Sequence, residues 1–353
     1  MIKFLSSSRI TVVCLFLLFI LTFWGTIAQV QQGLFAAQDR FFNSCFFLAA
    51  GFIPFPGAQL VIWVLFVNLI CSVIVNFKKY LHWSHAGLWV THLGLLVYFF
   101  AAFVVFHVSQ ESYLRLAEGE ATNVSVSYRD WEVAYWTGDS NELQVTAFDA
   151  RDFKQGFQIP FENKDFIIRV DKFYPNSAVS TDSDLIPQPV LKEMDQNIAG
   201  GVFSLNDHNS SRRLLLYGGS TQASSVAIAG KVYYFILRHQ RYPLPFTIQL
   251  DHFKAEFHPG TDMAKSFESA VTVSTGSLRR QVRIFMNNPL RYKDYTVYQA
   301  SYDTDNALRQ YSTLAVVKNF ARILPYIGCL VVFLGLALHF LIQAFISKGK
   351  VCE

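Results

Sequence analysis

Nine histidines are the main chemical resource of this sequence. Imidazole carries protons near neutral pH and ligates transition metals. Two of the nine stand out by their surroundings. His92 lies in Trp89-Val90-Thr91-His92-Leu93-Gly94-Leu95, and His339 lies in Leu336-Ala337-Leu338-His339-Phe340, each inside a long apolar run. An ionisable side chain in such a run is a functional candidate. It acts either as a metal ligand or as a neutral imidazole hydrogen-bonded to a neighbouring helix. His92 is seven residues from His85, and His339 is seven from Ile346. At about 1.5 Å per residue, both sit roughly 10 Å inside the same boundary. Matched depth on two helices suits two axial ligands of one haem iron. Two independent structural histidines would show the same spacing.

The other histidines are weaker candidates. His107 ends an apolar run, and His82 and His85 flank a short turn. His208, His239, His252 and His258 are scattered, with no H-E-x-x-H or zinc-like spacing. No P-loop, dinucleotide glycine fingerprint or G-x-S-x-G elbow occurs. No catalytic residue is assigned, and a self-contained enzyme is not expected. The five cysteines, Cys14, Cys45, Cys71, Cys329 and Cys352, form no CxxC and no CxxCH. The chain is therefore neither a thioredoxin-like reductant nor a c-type cytochrome, and any haem it holds is bound non-covalently.

The elements that position these residues follow from hydropathy. The 353 residues are 52% hydrophobic and only 16% charged, against about 25% charged in an average soluble domain. Residues 10–27, 60–77, 86–108 and 323–346 are apolar runs near the roughly 20 residues a helix needs to cross a bilayer. The first is too long, and ends in too poor a cleavage site, to be a signal peptide, so it reads as a retained span. Lys3 and Arg9 precede the first run, Lys78 and Lys79 follow the second, and Lys348 and Lys350 follow the fourth. The positive-inside rule then places both termini in the cytoplasm and residues 109–320 outside. That segment holds 22 Lys+Arg and 24 Asp+Glu, which gives it no basic surface for nucleic acid.

Residues 31–57 contain an apolar core too short to cross and read as an outer interfacial segment, either a helix lying on the membrane or a buried loop. Residues 109–320 read as strands. The segments 122–128, 130–136, 166–170, 232–237, 271–274, 281–286, 295–302 and 313–317 are rich in strand formers. Phe246, Ile248 and Leu250 alternate with polar residues, then the phase shifts to Phe253, Ala255 and Phe257, which predicts a bulge or a bend to a second sheet. Residues 180–209 read as a long polar loop. The expected fold is four transmembrane α-helices plus a large extracytoplasmic antiparallel β-rich domain, a sandwich or open barrel. Its parts are a three-helix segment 1–108, the outer domain 109–320, and a fourth helix with a cytoplasmic tail at 321–353.

Several segments together resemble the ResB/CcsB family of System II cytochrome c biogenesis. Near the start are Leu5-Ser6-Ser7, Arg9 and Gly25-Thr26-Ile27-Ala28-Gln29; the third span carries His92-Leu93-Gly94-Leu95, followed by Leu116-Ala117-Glu118-Gly119-Glu120. The strongest likeness is late. Phe246-x-Ile248-x-Leu250-x-x-Phe253, Pro259-Gly260-Thr261 and Phe267-x-Ser269 lead into Asn288-Pro289-Leu290-x-Tyr292-x-x-Tyr295-x-x-Tyr298-Gln299-x-Ser301-Tyr302-Asp303.

The resemblance implies a non-autonomous subunit of a holocytochrome c synthase, or haem lyase, in a bacterial inner membrane with its large domain in the periplasm. It implies haem b, held non-covalently and transiently. The partners it implies are a CcsA/ResC-like membrane protein, apocytochrome c and a thioredoxin-like thiol reductant, all in a lipid bilayer. The family's span-three histidine is associated with haem and maps onto His92, as an axial ligand to the haem iron. By the same analogy the second ligand belongs to the partner, which competes with His339 as a ligand from this chain. The six tryptophans form no cluster like the haem-presenting segment of CcsA, so the likeness is to the separate ResB half. Asn288, Pro289, Tyr298 and Gln299 read as residues of fold or docking, because the segment offers no activated nucleophile. Two alternatives stay open. One is a scaffold that binds no haem; the other is a b-type electron-transfer cytochrome held by His92 and His339.

Overall fold

The computed structural model describes residues 2–77, 82–138, 144–161, 166–180, 184–192, 196–206, 211–228, 230–260, 264–304 and 309–351. They fall into two compact units, one made of residues 1–110 with 318–353, the other of residues 111–317.

The first unit is built on four long helices: α1 (Ser8–Gln32), α2 (Ala58–Val75), α3 (Ala86–Val108) and α4 (Leu324–Val351). Ser7 starts α1 by accepting a hydrogen bond from the Arg9 amide, and Gly33, at φ +83°, ends it. All four are long and apolar enough to cross a membrane. Their large side chains point outward: Phe19 is 68% exposed, Phe333 67% and Phe340 68%. Apolar surface of that extent is stable only against lipid or protein, and the chain is a membrane protein. Asn68 is the buried polar group of α2. It accepts from the Thr11 hydroxyl and donates to the carbonyls of Leu5 and Ser7, tying the start of the chain to α2.

Residues 31–57 differ from both expected forms, the membrane-lying helix and the buried loop. A short helical stretch through Phe42 leads into a hairpin of β1 (Phe46–Ala49) and β2 (Ile53–Pro56). The turn is made by Ala50 and Gly51, both at positive φ, so pairing is set at the turn and not by helical periodicity. Phe47 and Phe55 pack with Trp24 and Phe41, ring centroids 4.8–5.7 Å apart.

The second unit is β-rich. Its strands are β3 (Gln110–Ala117), β4 (Ala121–Thr137), β5 (Thr146–Asp149), β6 (Gln158–Ile159), β7 (Ile167–Tyr174) and β8 (Ser177–Val179). Next come β9 (Leu185–Pro187), β10 (Gly200–Asn206), β11 (Ser211–Tyr217), β12 (Ser224–Ile228) and β13 (Lys231–Phe257). The last are β14 (Ala264–Thr275), β15 (Leu278–Phe285), β16 (Leu290–Tyr292), β17 (Tyr295–Thr304) and β18 (Gln310–Lys318). A large sheet runs β15-β14-β13-β4-β3-β18-β17-β16, with β12 beside β13 and β5 beside β4; a smaller one runs β11-β10-β7-β6.

The segment expected as a long loop over 180–209 includes β9 and β10. Gly200-Gly201-Val202-Phe203-Ser204-Leu205 is buried along its length in the small sheet, between β7 and β11. Such a strand shows no alternation because both faces are covered.

The 27-residue β13 organises the unit. Its first half pairs with β4 through Tyr233–His239, and its second half pairs with β14. Its register against β14 shifts between Leu250 and His252, where the apolar phase of the sequence slips. The first half and the small sheet sandwich a core containing Phe203, Phe235, Ile168 and Leu216. The second half belongs to a sheet curled about its own core, with Leu116, Ile248, Leu250, Ile284 and Leu314. Ser269 on β14 reaches Gln299 on β17 at 2.6 Å and Ser312 on β18 at 2.7 Å, contacts across that core that a flat sheet could not make. Of the two expected architectures the unit contains both, a sandwich and an open barrel sharing one strand.

Candidate functional site

The α3–α4 pair carries both histidines singled out by the sequence. It is held by close backbone contact. A Cβ built on Gly87 would stand 2.3 Å from the His339 nitrogen, and one on Gly335 2.4 Å from that of Thr91. One on Gly94 would stand 2.6 Å from the Val332 nitrogen, and one on Gly328 2.9 Å from that of Tyr98. The four contacts advance by the same steps in opposite directions, so the helices are antiparallel in one continuous register. Small residues at this seam let the backbones meet, as in other membrane helix pairs. This seam was not among the features singled out from the sequence. Its signal was there in two glycine pairs seven residues apart, Gly87/Gly94 and Gly328/Gly335.

This register separates His92 from His339. His339 lies on the seam, opposite Gly87. His92 is five residues beyond Gly87, which at 100° per residue turns it about 140° away round α3. The structure does not bring the two onto one face of α3. His92 shares its face with Phe99, which meets Phe66 of α2 with ring centroids 5.9 Å apart.

His92 is half-buried, and its Nδ1 lies 2.7 Å from the Leu88 carbonyl oxygen. A carbonyl only accepts, so Nδ1 carries the proton, and in the neutral ring Nε2 carries the lone pair. A metal-binding imidazole is commonly oriented in this way by a bond from its other nitrogen. His339 differs, since its Nδ1 is buried without a hydrogen-bond partner. Two more such atoms lie near the start of α3, His85 Nδ1 and Trp89 Nε1. His107 Nδ1 donates to the Phe103 carbonyl at 2.9 Å on an exposed stretch, and His82 Nδ1 lies 2.7 Å from the Ser84 hydroxyl.

In the β unit His239 and His252 are engaged by neighbouring side chains. His239 stacks on Trp131, ring centroids 4.0 Å apart. Burial pushes its pKa down, against the opposing effects of a hydrogen bond to the Asp130 backbone and the Asp130 charge. His252 pairs with Glu118 at 2.8 Å on the surface, while Glu118 also accepts from the Phe253 amide at 2.6 Å. His258 is exposed, and His208 lies outside the described residues. Gln299 is bound into the Ser269–Ser312 network, its Nε2 3.0 Å from the Ser312 hydroxyl. Asn288 closes a turn with Phe285, and Tyr298 is exposed.

Among the described residues no three His, Cys, Asp or Glu side chains are grouped to cage a metal ion. The chemistry on offer is a single oriented imidazole in an apolar helical unit. That fits a group bringing its own equatorial ligands, such as haem, and does not fit a bare cation.

Two comparisons bear on this arrangement. The sequence pattern of the ResB-like family matches residues 219–310, from just before β12 into β17 and beyond. The chain is also 24% identical over 280 residues to Protein NrfI of Wolinella succinogenes, which covers 77% of this chain. The match spans only 29% of that protein's length. Both agree with the resemblance drawn from the motifs, and the β unit carries the ResB-like region.

Proposed function

From this ResB-like character we propose that the chain is a component of cytochrome c biogenesis. Its helical unit handles haem inside the membrane, and its β unit docks apocytochrome c. A CcsA/ResC-like membrane protein completes the complex, and a thioredoxin-like reductant keeps the acceptor thiols reduced. In this reading haem is cargo, held non-covalently until it is passed on. Both termini lie in the cytoplasm and the β unit in the periplasm, supported by Lys3, Arg9, Lys78, Lys79, Lys348 and Lys350 at the three inner flanks.

The observation that carries the haem assignment is the hydrogen bond from His92 Nδ1 to the Leu88 carbonyl. It orients the ring and places the proton on Nδ1, so that Nε2 is the ligand nitrogen. A ligand role also accounts for an imidazole in hydrocarbon better than packing alone. The second axial ligand is assigned to the partner. A resident b-type haem held by His92 and His339 draws less support, because the seam turns the two histidines to different faces of α3.

The test is the haem spectrum of the purified chain, alone and with its membrane partner. The proposal predicts strong dependence on the partner. Stoichiometric haem on the chain alone would favour the b-type reading, and no haem in either preparation would leave only the scaffold.

A further inference from the structure

His92 ends a line of polar groups along α3 that its own role leaves unexplained. Trp89 precedes it by three residues, about 60° round the helix, and His85 caps the helix four residues earlier. Trp89 Nε1 and His85 Nδ1 are both buried without a hydrogen-bond partner. An indole N–H only donates, so the Trp89 position calls for an acceptor. The helical unit has almost none of the acidic kind. Residues 58–108 contain no Asp or Glu, and in all of 1–110 and 318–353 the only acids are Asp39 and Glu353. Among the described residues of the unit no carboxylate meets either nitrogen, so an acid group on a bound ligand can supply the acceptor.

The spacing says which carboxylate fits. Along the helix axis Trp89 is about 5 Å and His85 about 10 Å from His92. Both nitrogens therefore lie on the same side of His92, toward the start of α3, where the rim of a ligand centred on His92 would reach them. Resting on the assignment of His92 as the iron ligand, we propose that Trp89 and His85 bind the propionates of the same haem. The cargo is thereby held with its carboxylates toward the start of α3. The ligand class is an iron porphyrin with free acid side chains. The two donors act as positioning residues, discriminating free-acid from esterified porphyrin while His92 holds the metal.

The discriminating experiment titrates the haem-stripped complex with haem and with haem dimethyl ester, which keeps the iron and lacks the carboxylate charge. The unaltered complex is expected to bind the free acid more tightly. Trp89→Phe should lower affinity for haem about tenfold, leave affinity for the ester unchanged, and leave the Soret band in place. His85→Asn supplies the same comparison should Trp89→Phe fail to accumulate. Equal weakening of both porphyrins, or of neither, overturns the propionate assignment while the iron ligand stands. An unshifted Soret band in His92→Gly overturns the ligand reading. Binding of neither porphyrin by the unaltered complex overturns both.

Discussion

In the β unit the buried carboxylate of Glu132 meets Arg238 at 2.8 Å, and the buried hydroxyls of Ser269 and Ser312 share Gln299. In the helical unit His85, Trp89, Arg322 and His339 each keep a buried polar atom without a partner. His239 is the β unit's one counterpart among the described residues. Unmet buried polar atoms cost free energy in either place. A unit that satisfies them uses its polar residues for its own fold. A unit that leaves several unmet on neighbouring helices is shaped for something that arrives. This contrast supports the proposal that the β unit docks a partner and the helices supply the ligand chemistry.

The strongest way to break this contrast is at Glu132. If its pairing is structural, Glu132→Ala should destabilise the β unit by about 2–3 kcal/mol, since it leaves the partly buried Arg238 guanidinium without its carboxylate. Denaturant unfolding of the solubilised chain reads this directly. A change below about 1 kcal/mol would show the pair to be dispensable and weaken the contrast.

A smaller effect is expected at His239, where the β unit departs from its own rule. Its folded pKa is depressed by burial, so the unfolded chain binds the proton more readily. Stability is then complete above the ordinary histidine pKa of 6.5 and declines as pH falls through and below it. Thermal midpoints measured from pH 8 to pH 5 should fall at the acid end, and His239→Gln should flatten that fall. An unchanged slope in the variant would assign the acid sensitivity elsewhere.

Much of this was legible in the sequence, in an order set by physics. The four spans are long apolar runs without Asp, Glu, Lys or Arg, and the 86–108 run coincides with α3. The phase slip between Leu250 and Phe253 gave the bulge in β13, because side chains on a strand alternate strictly. The hairpin at Phe46–Pro56 was hidden because its strands are four residues long and its turn, Ala50-Gly51, lacks the usual Asn-Gly or Asp-Gly signal. The buried strand Gly200–Asn206 was hidden by having no polar face. At the candidate site, His92 was visible as a lone imidazole among apolar residues. Its separation from His339 was not, because depth along a helix is readable from residue counts while the face depends on which glycines meet across the seam. The unmet Trp89 and His85 atoms are a tertiary property, visible only once every neighbour is placed.

The central claim, that His92 binds haem iron within the helical unit, is tested most directly by the haem that copurifies with a His92→Gly variant of the complex. The account predicts that this haem falls sharply, that cytochrome c maturation is lost with it, and that added imidazole, filling the vacated position, partly restores both. Normal haem content with an unshifted Soret band and normal maturation in the variant would contradict it.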